Sequence, residues 1–200
     1  MTRSRKPKLK IMVASTIYGF EDQLSQICAT LERYGYKVLN SHVRKIPTDS
    51  SKSNLENCLL TVESCDLFFG IIRPQYGSGK IGEISITHAE MRKAIELKKP
   101  RWFVAHRDIT VARQLLRQYM FTKKKIPKKG FKYTPTSIMD DIRVVDLYND
   151  AILNDVPPAD RKGHWVDEYF RLDDILQCIE TQFKDTRRIR KIVEQMKTAK

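Results

Sequence analysis

Two periods of apolar residues alternate along the chain. Short continuous runs predict buried strands, and stretches with apolar residues at i, i+3, i+4 and i+7 predict amphipathic helices. Lys8 to Ala14 reads as a first strand ending at Ser15 and Thr16. A helix follows over Glu21 to Tyr34, with Leu24, Ile27, Cys28 and Leu31 on one face, Glu21 and Asp22 in its first turn, and Gly35 ending it. Tyr36 to Leu39 is a second strand. The loop Asn40 to Lys52, about 13 residues with Pro47 inside, is long for such a connection and predicts a mobile flap beside a site. Ser53 and Glu56 form a capping box ahead of Leu55, Cys58, Leu59 and Val62. That helix leads into Leu67 to Ile72, an unbroken apolar run suited to a strand buried on both faces.

A polar loop from Arg73 to Gly82 carries Gly77, Gly79 and Gly82, and a helix from about Thr87 to Leu97 ends before Pro100. Trp102 to Ala105 reads as a fourth strand and Ile109 to Met120 as a fourth helix. Ile142 to Leu147, rich in β-branched residues and bounded by Asp140 and Asp141, reads as a fifth strand. One last helix begins near Asp173 or Asp174 and carries Ile175, Ile179, Phe183, Ile189, Ile192 and Val193. Its apolar spacing weakens past Asp185, which predicts a frayed end.

Alternating strands and helices at this spacing predict an α/β fold: a mostly parallel five-stranded sheet between two helical layers. The common flavodoxin-like order 2-1-3-4-5 opens a crevice where strands one and three diverge. Ser15 and Thr16 then face Arg73 to Gly79 across it, with His106 at the end of strand four nearby. The expected organisation is an α/β domain over 1–155, including a basic loop at 121–136, and a C-terminal extension over 156–200 whose helix packs on the domain.

Composition narrows the functional classes. No apolar run approaches the roughly 20 residues of a membrane span, and the apolar segment behind the basic start is too short for a signal peptide, so the expected location is cytoplasmic without membrane contact. Cys28, Cys58, Cys65 and Cys178 are scattered without metal-ligand spacing. This reads as reduced thiols in packed positions and no metal site. The net charge of +13 is concentrated: five basic residues fall in the first ten positions, six lysines between Lys123 and Lys132, and seven basic residues from Lys184 to Lys200. Such runs suit solvated tails, or contact with nucleic acid or another anionic surface. No nucleic-acid motif accompanies them.

Chemistry concentrates around the glycine-containing loop. Gly77-Ser78-Gly79-Lys80-Ile81-Gly82 matches G-x-G-x-x-G in letters, but helix entry comes late and no acid ends the next strand, which argues against a dehydrogenase. The loop also lacks the G-K-[ST] of a P-loop. Glu90, on the helix behind it, is the leading catalytic candidate, because a carboxylate there can orient ribose hydroxyls and stabilise oxocarbenium-like charge. A competing explanation is structural: Thr87-x-x-Glu90 is itself a capping box, with Ile86 and Met91 as its hydrophobic staple. Glu83 is an alternative acid in the loop. His88 and His106 suit solvated or hydrogen-bonded roles as well as ligand contact. Tyr76 suits ring stacking or loop anchoring. Ser15 and Thr16 lack a G-x-S-x-G elbow and fit capping or ligand binding better than nucleophilic catalysis.

Three strings, KIMVASTIYGFED, VESCDLFFGIIRPQYGS and SITHAEMRKAIELKKP, together resemble a TIR-like domain of unknown function found at the front of signalling and defence proteins. The likeness spans about Lys8 to Ala105. It implies kinship with TIR domains and nucleoside deoxyribosyltransferases, which share a flavodoxin-like three-layer fold and use a helix glutamate to cleave N-glycosidic bonds. Glu90, followed by Ala94 and Lys99-Pro100, occupies that position here. The resemblance implies a nucleotide-binding protein, with NAD or a related nucleotide as substrate or ligand, no required cofactor, and a role in defence or stress signalling. The substrate-binding positions it suggests, with the loop reading, are Ser15, Thr16, Tyr18, Arg73, Tyr76, Gly77, Ser78, Thr87 and His106. Two departures stand out: Ala14 replaces the usual first serine, and Arg73-Pro74 replaces the usual glycine. The alternative class is a non-catalytic ligand-sensing or assembly module that self-associates or engages a partner signalling protein. A third is a basic nucleic-acid-associated protein.

Overall fold

A computed structural model describes residues 7–77, 80–81, 84–122, 128 and 130–198. Five strands, β1 (Lys10–Ser15), β2 (Lys37–Leu39), β3 (Leu67–Ile72), β4 (Arg101–His106) and β5 (Val166–Tyr169), form one sheet in the order β2-β1-β3-β4-β5. Every neighbouring pair in it is parallel. Helices α1 (Glu21–Arg33), α2 (Asn54–Ser64), α3 (Ile86–Glu96), α4 (Arg107–Met120), α5 (Arg143–Ala151), α6 (Leu172–Phe183) and α7 (Thr186–Thr198) flank it. A separate two-residue antiparallel pair, Lys80–Ile81 with Ile84–Ser85, precedes α3. The expected three-layer α/β class is the observed one.

The central strand explains the layering. Every residue of β3 is buried. Because side chains alternate along a strand, Leu67, Phe69 and Ile71 meet residues of α1, α6 and α7, while Phe68 and Ile72 meet residues of α3, α4 and α5. Gly70 lies opposite Phe103 in register, and a Cβ there would sit 2.6 Å from the Phe103 ring and 3.1 Å from Met91. The missing side chain thus admits the Phe103 ring to the face of β3. On the other layer Phe183 meets Tyr36, Phe69 and Trp102 edge-on, and its carbonyl accepts from the Tyr36 hydroxyl at 2.9 Å.

Three expectations are corrected. Ile142 to Leu147 is not a strand: α5 occupies that stretch, burying Val144, Leu147 and Ala151 at i, i+3 and i+7. The β-branched run dominated locally, and the helical period shows only when the window extends to Ala151. The fifth strand is instead Val166–Tyr169, a short edge strand with Asp167 and Glu168 at its middle. Charge on an edge discourages further pairing and also hides the strand from pattern reading. The last helix is two helices, broken where Asp185 accepts from the backbone N–H groups of Arg187 and Arg188, both at 3.0 Å. Beyond the break Ile189 and Val193 are buried in the core, so α7 is docked as far as Val193 and continues as helix to Thr198. Residues 156–200 therefore supply the edge strand and two helices of the sheet's own layers.

The long loop after β2 is tied at both ends. Asn40, buried, donates from Nδ2 to the Val13 carbonyl at 2.8 Å and accepts from Val43 N–H at 3.1 Å. Asn57 on α2 accepts from Asp49 N–H at 2.7 Å and donates to the carbonyls of Asp49 and Ser53. The loop expected as a mobile flap is thus hydrogen-bonded to β1 at one end and to α2 at the other. The Ser53–Glu56 capping box forms as expected, Glu56 N–H reaching Ser53 Oγ at 3.2 Å and Glu56 accepting from Ser53 N–H at 2.7 Å. Among the described residues no helix is long and apolar enough to cross a membrane.

Candidate functional site

Where the C-terminal ends of β1 and β3 part, a cleft of about 980 Å³ opens between the loop after β2, α2 and the start of α3. Its wall is mostly hydroxyl, amide and apolar surface. Glu90 lies in it, together with the acids Glu21 and Asp140 and the cation Arg44. Arg44 sits at φ +52, the left-handed region that costs a non-glycine residue energy, in the turn that Asn40 fixes to β1.

Glu90 reaches this cleft because α3 starts earlier than the capping box predicts. The N-cap is Ser85, whose hydroxyl accepts from His88 N–H at 3.2 Å. Thr87 and Glu90 are both inside the helix, so the predicted Thr87–Glu90 cap does not form. The carboxyl of Glu90 has no salt-bridge partner among the described residues and the residue is 5% exposed. Burial pushes its pKa from 4.5 up to about 7, a rise opposed by a hydrogen bond from the Cys58 thiol. Cys58 is held as a neutral thiol, pushed up to about 12 by burial first and then by the charge of Glu90. A buried carboxyl in a concave site can do acid–base or charge-stabilising chemistry.

The loop after β3 is fixed by its own side chains. Tyr76 is buried; its hydroxyl accepts from Ser85 N–H at 3.2 Å and meets His88 Nδ1 at 2.7 Å. The other ring nitrogen of His88, Nε2, meets Asp150 Oδ2 at 2.8 Å, so the imidazole bridges Tyr76 and Asp150. Tyr76 N–H donates to Asp140 at 2.7 Å. Gly77 sits at φ +90, and a Cβ there would come within 2.9 Å of Thr16 Cγ2. The Thr16 hydroxyl donates to the Gln75 carbonyl at 2.9 Å, and that of Ser15 to the Thr16 carbonyl at 3.0 Å. Both hydroxyls stay at the cleft wall but their protons are already used.

Of the residues that the sequence suggested, Ser15, Thr16, Tyr18, Tyr76, Gly77, Thr87 and Glu90 line this one cleft. Arg73 does not. Its guanidinium donates to the carbonyls of Thr16 and Tyr18, at 3.2 and 2.8 Å, and stacks 4.8 Å over Phe20, so it ties the two loops together from behind. His106 does not either. It caps α4, accepting from Asp108 N–H at 3.3 Å, and packs on Tyr169 and Phe170. His88 is buried in the Tyr76–Asp150 chain instead of solvated. Ser78 and Glu83 lie outside the described residues. Cys58, which the sequence suggested as core packing, lines the cleft, as do Asn57, Arg44 and Asp140. The helical face shared by Asn57 and Cys58 carried no recognisable signal. Among the described residues no group of three or more His, Cys, Asp and Glu could hold a metal ion.

A family model described as a domain of unknown function, DUF4062, matches residues 10–177. No curated protein matches the chain.

Proposed function

The chain belongs to the DUF4062 family, a domain of unknown function, and for this member we propose a nucleotide-binding, TIR-like domain that cleaves the N-glycosidic bond of NAD or a related nucleotide. The observation that carries the reading is Glu90, a buried carboxyl in the β1/β3 cleft with no salt-bridge partner among the described residues and no capping role to explain it. In this reaction the C1′–N bond breaks, its electron pair leaves with the base, and water adds to C1′ while its proton passes to Glu90 or solvent. A nicotinamide ring leaves as a neutral molecule, so no general acid is needed on that side. The ionised Glu90 would stabilise the oxocarbenium-like ribose, and the polar wall of Thr16, Asn57 and Thr87 suits ribose hydroxyls. A cleft of about 980 Å³ has room for a nucleotide. Defence or stress signalling is the biological setting that the resemblance suggests.

A second reading, an assembly module, is favoured by a different observation. Val111, Leu115 and Tyr119 are exposed at i, i+4 and i+8 on α4, an apolar stripe that the reaction does not use. One assay separates the two. Base release from NAD, NADP and a nucleoside panel is followed for the native chain and Glu90→Gln. Release by the native chain and at least a hundredfold loss in the variant are expected. No release at high protein concentration, or equal release by both, would leave the assembly reading standing alone.

A further inference from the structure

Behind α3, on the side away from Glu90, a second cleft of about 850 Å³ lies between α3, α4 and α5. Its distinguishing feature is a pair of arginines, Arg113 and Arg117, one helical turn apart on α4 and both facing the cleft. Residues four apart on a helix are neighbours on its surface, and like charges there repel. Among the described residues neither makes an ion pair with a carboxylate. Arg113 donates from Nε to Asn149 Oδ1 at 2.6 Å and from a terminal nitrogen to Asn154 Oδ1 at 3.0 Å, both neutral amides, and stacks 5.7 Å over the Tyr148 ring. Arg117 has no salt-bridge partner among the described residues. Arg161, close enough to Arg113 to repel it, donates among the described residues to the carbonyls of Val156 and Asn154.

The acids of this cleft are committed elsewhere or leave the pair alone. Asp150 receives His88 at 2.8 Å and Arg92 at 2.6 Å. Asp146 and Asp155 make no ion pair among the described residues, and burial holds the Asp146 carboxyl above the ordinary range. Arg143 is paired with Asp141 and stacks 5.0 Å over Tyr76. Holding Arg113 rigid with neutral acceptors keeps its charge available, and half-burial of that charge is costly unless an anion meets it.

We propose that this α3–α4–α5 cleft binds a phosphate- or pyrophosphate-bearing small molecule, with Arg113 and Arg117 as its anion clamp. Two guanidinium forks on successive turns match a group with several charged oxygens better than a single carboxylate, which one fork already satisfies. Burial, followed by the nearby charges of Arg117 and Arg161, holds the Arg113 pKa below its ordinary value, as expected of a cation lacking its counter-ion. Met120 and Phe121 line the same cleft and give a non-phosphate portion an apolar wall. The site shares Tyr76 with the Glu90 cleft but none of its acids.

The test titrates inorganic pyrophosphate into the full chain by calorimetry at ionic strength held constant with sodium chloride. The same titration is made on Arg117→Gln, Arg113→Gln, Arg44→Gln and Lys191→Gln. Arg117 makes no side-chain hydrogen bond among the described residues, so its variant is expected to fold normally and keeps the test valid if Arg113→Gln does not. Saturable binding is expected, weakened about tenfold or more in Arg117→Gln and in folded Arg113→Gln, and unchanged in Arg44→Gln and Lys191→Gln. Three results overturn the proposal: no binding, equal binding by the α4 variants and the native chain, or a comparable loss in either control. Loss in Arg44→Gln would put the anion in the Glu90 cleft, and loss in Lys191→Gln would reduce it to diffuse attraction by the net charge. Base release by Glu90 is measured separately, so either conclusion can fail alone.

Discussion

Replacing Glu90 with Gln should stabilise the protein, and by an amount that grows with pH. The carboxyl is buried, and its pKa rises from 4.5 in the unfolded chain to about 7 in the fold. Between those values the folded state keeps a proton that the unfolded state has lost, so this group's contribution to stability falls as pH rises. Below 4.5 the proton is bound in both states and no penalty exists; above about 7 the penalty is complete. At 1.36 kcal/mol for each pH unit of separation, it approaches about 3 kcal/mol. Gln is nearly isosteric with the protonated acid and carries no such slope. Urea unfolding of the two proteins from pH 5 to pH 8 should therefore give stabilities that differ by less than about 1 kcal/mol at pH 5 and by about 3 kcal/mol at pH 8. In melting temperature that is roughly 6–12 °C for a chain of this size. Because every other titrating group is common to both proteins, the difference isolates residue 90. Parallel curves, or a destabilised variant, would refute the claim that Glu90 is a buried, unpaired acid. A purely structural glutamate would give the destabilised outcome. Stability gained with activity lost is what a functional group held at a cost in folding predicts.

Other consequences are smaller and each has its own measurement. If the ionised form of Glu90 acts on the ribose, the kcat/KM for base release rises with pH through an acid limb near 7, and a profile flat from pH 5 to 8 would exclude that role. Gly77→Ala forces a side chain into the left-handed region and against Thr16, costing about 1–2 kcal/mol in urea unfolding and weakening nucleotide binding in the Glu90 cleft. Asn57→Ala strands the backbone of the loop after β2, notably Asp49 N–H. It should cost about 2 kcal/mol and raise proteolytic cleavage between 44 and 53, whereas His42→Ala on the outer side should do neither.

The parts of the fold that could be read in advance are those where one local rule acted alone. β3, an unbroken apolar run, and α2, opened by Ser53 and Glu56, stand as expected because burial on both faces and a reciprocal cap are written in adjacent residues. Misreadings occur where two rules compete. Over Ile142 to Leu147 β-branched propensity outweighed a helical period completed only by Ala151, and tertiary packing of Val144 and Leu147 decided for the helix. The edge strand Val166–Tyr169 was invisible because four residues with two acids carry almost no apolar signal; its pairing depends on β4, far away in sequence. The same competition settles the reading of Glu90. Ser85 and Thr87 both offer a plausible helix start, and sequence spacing favours Thr87, since Glu90 follows it at three residues. The Tyr76 hydroxyl, which takes the Ser85 N–H, and the Ser85 hydroxyl, which takes His88 N–H, choose the earlier start. That choice places Glu90 more than a full turn inside α3, where no orphan backbone N–H remains for its carboxylate to cap. A side chain there must be explained by what it faces, and it faces the cleft.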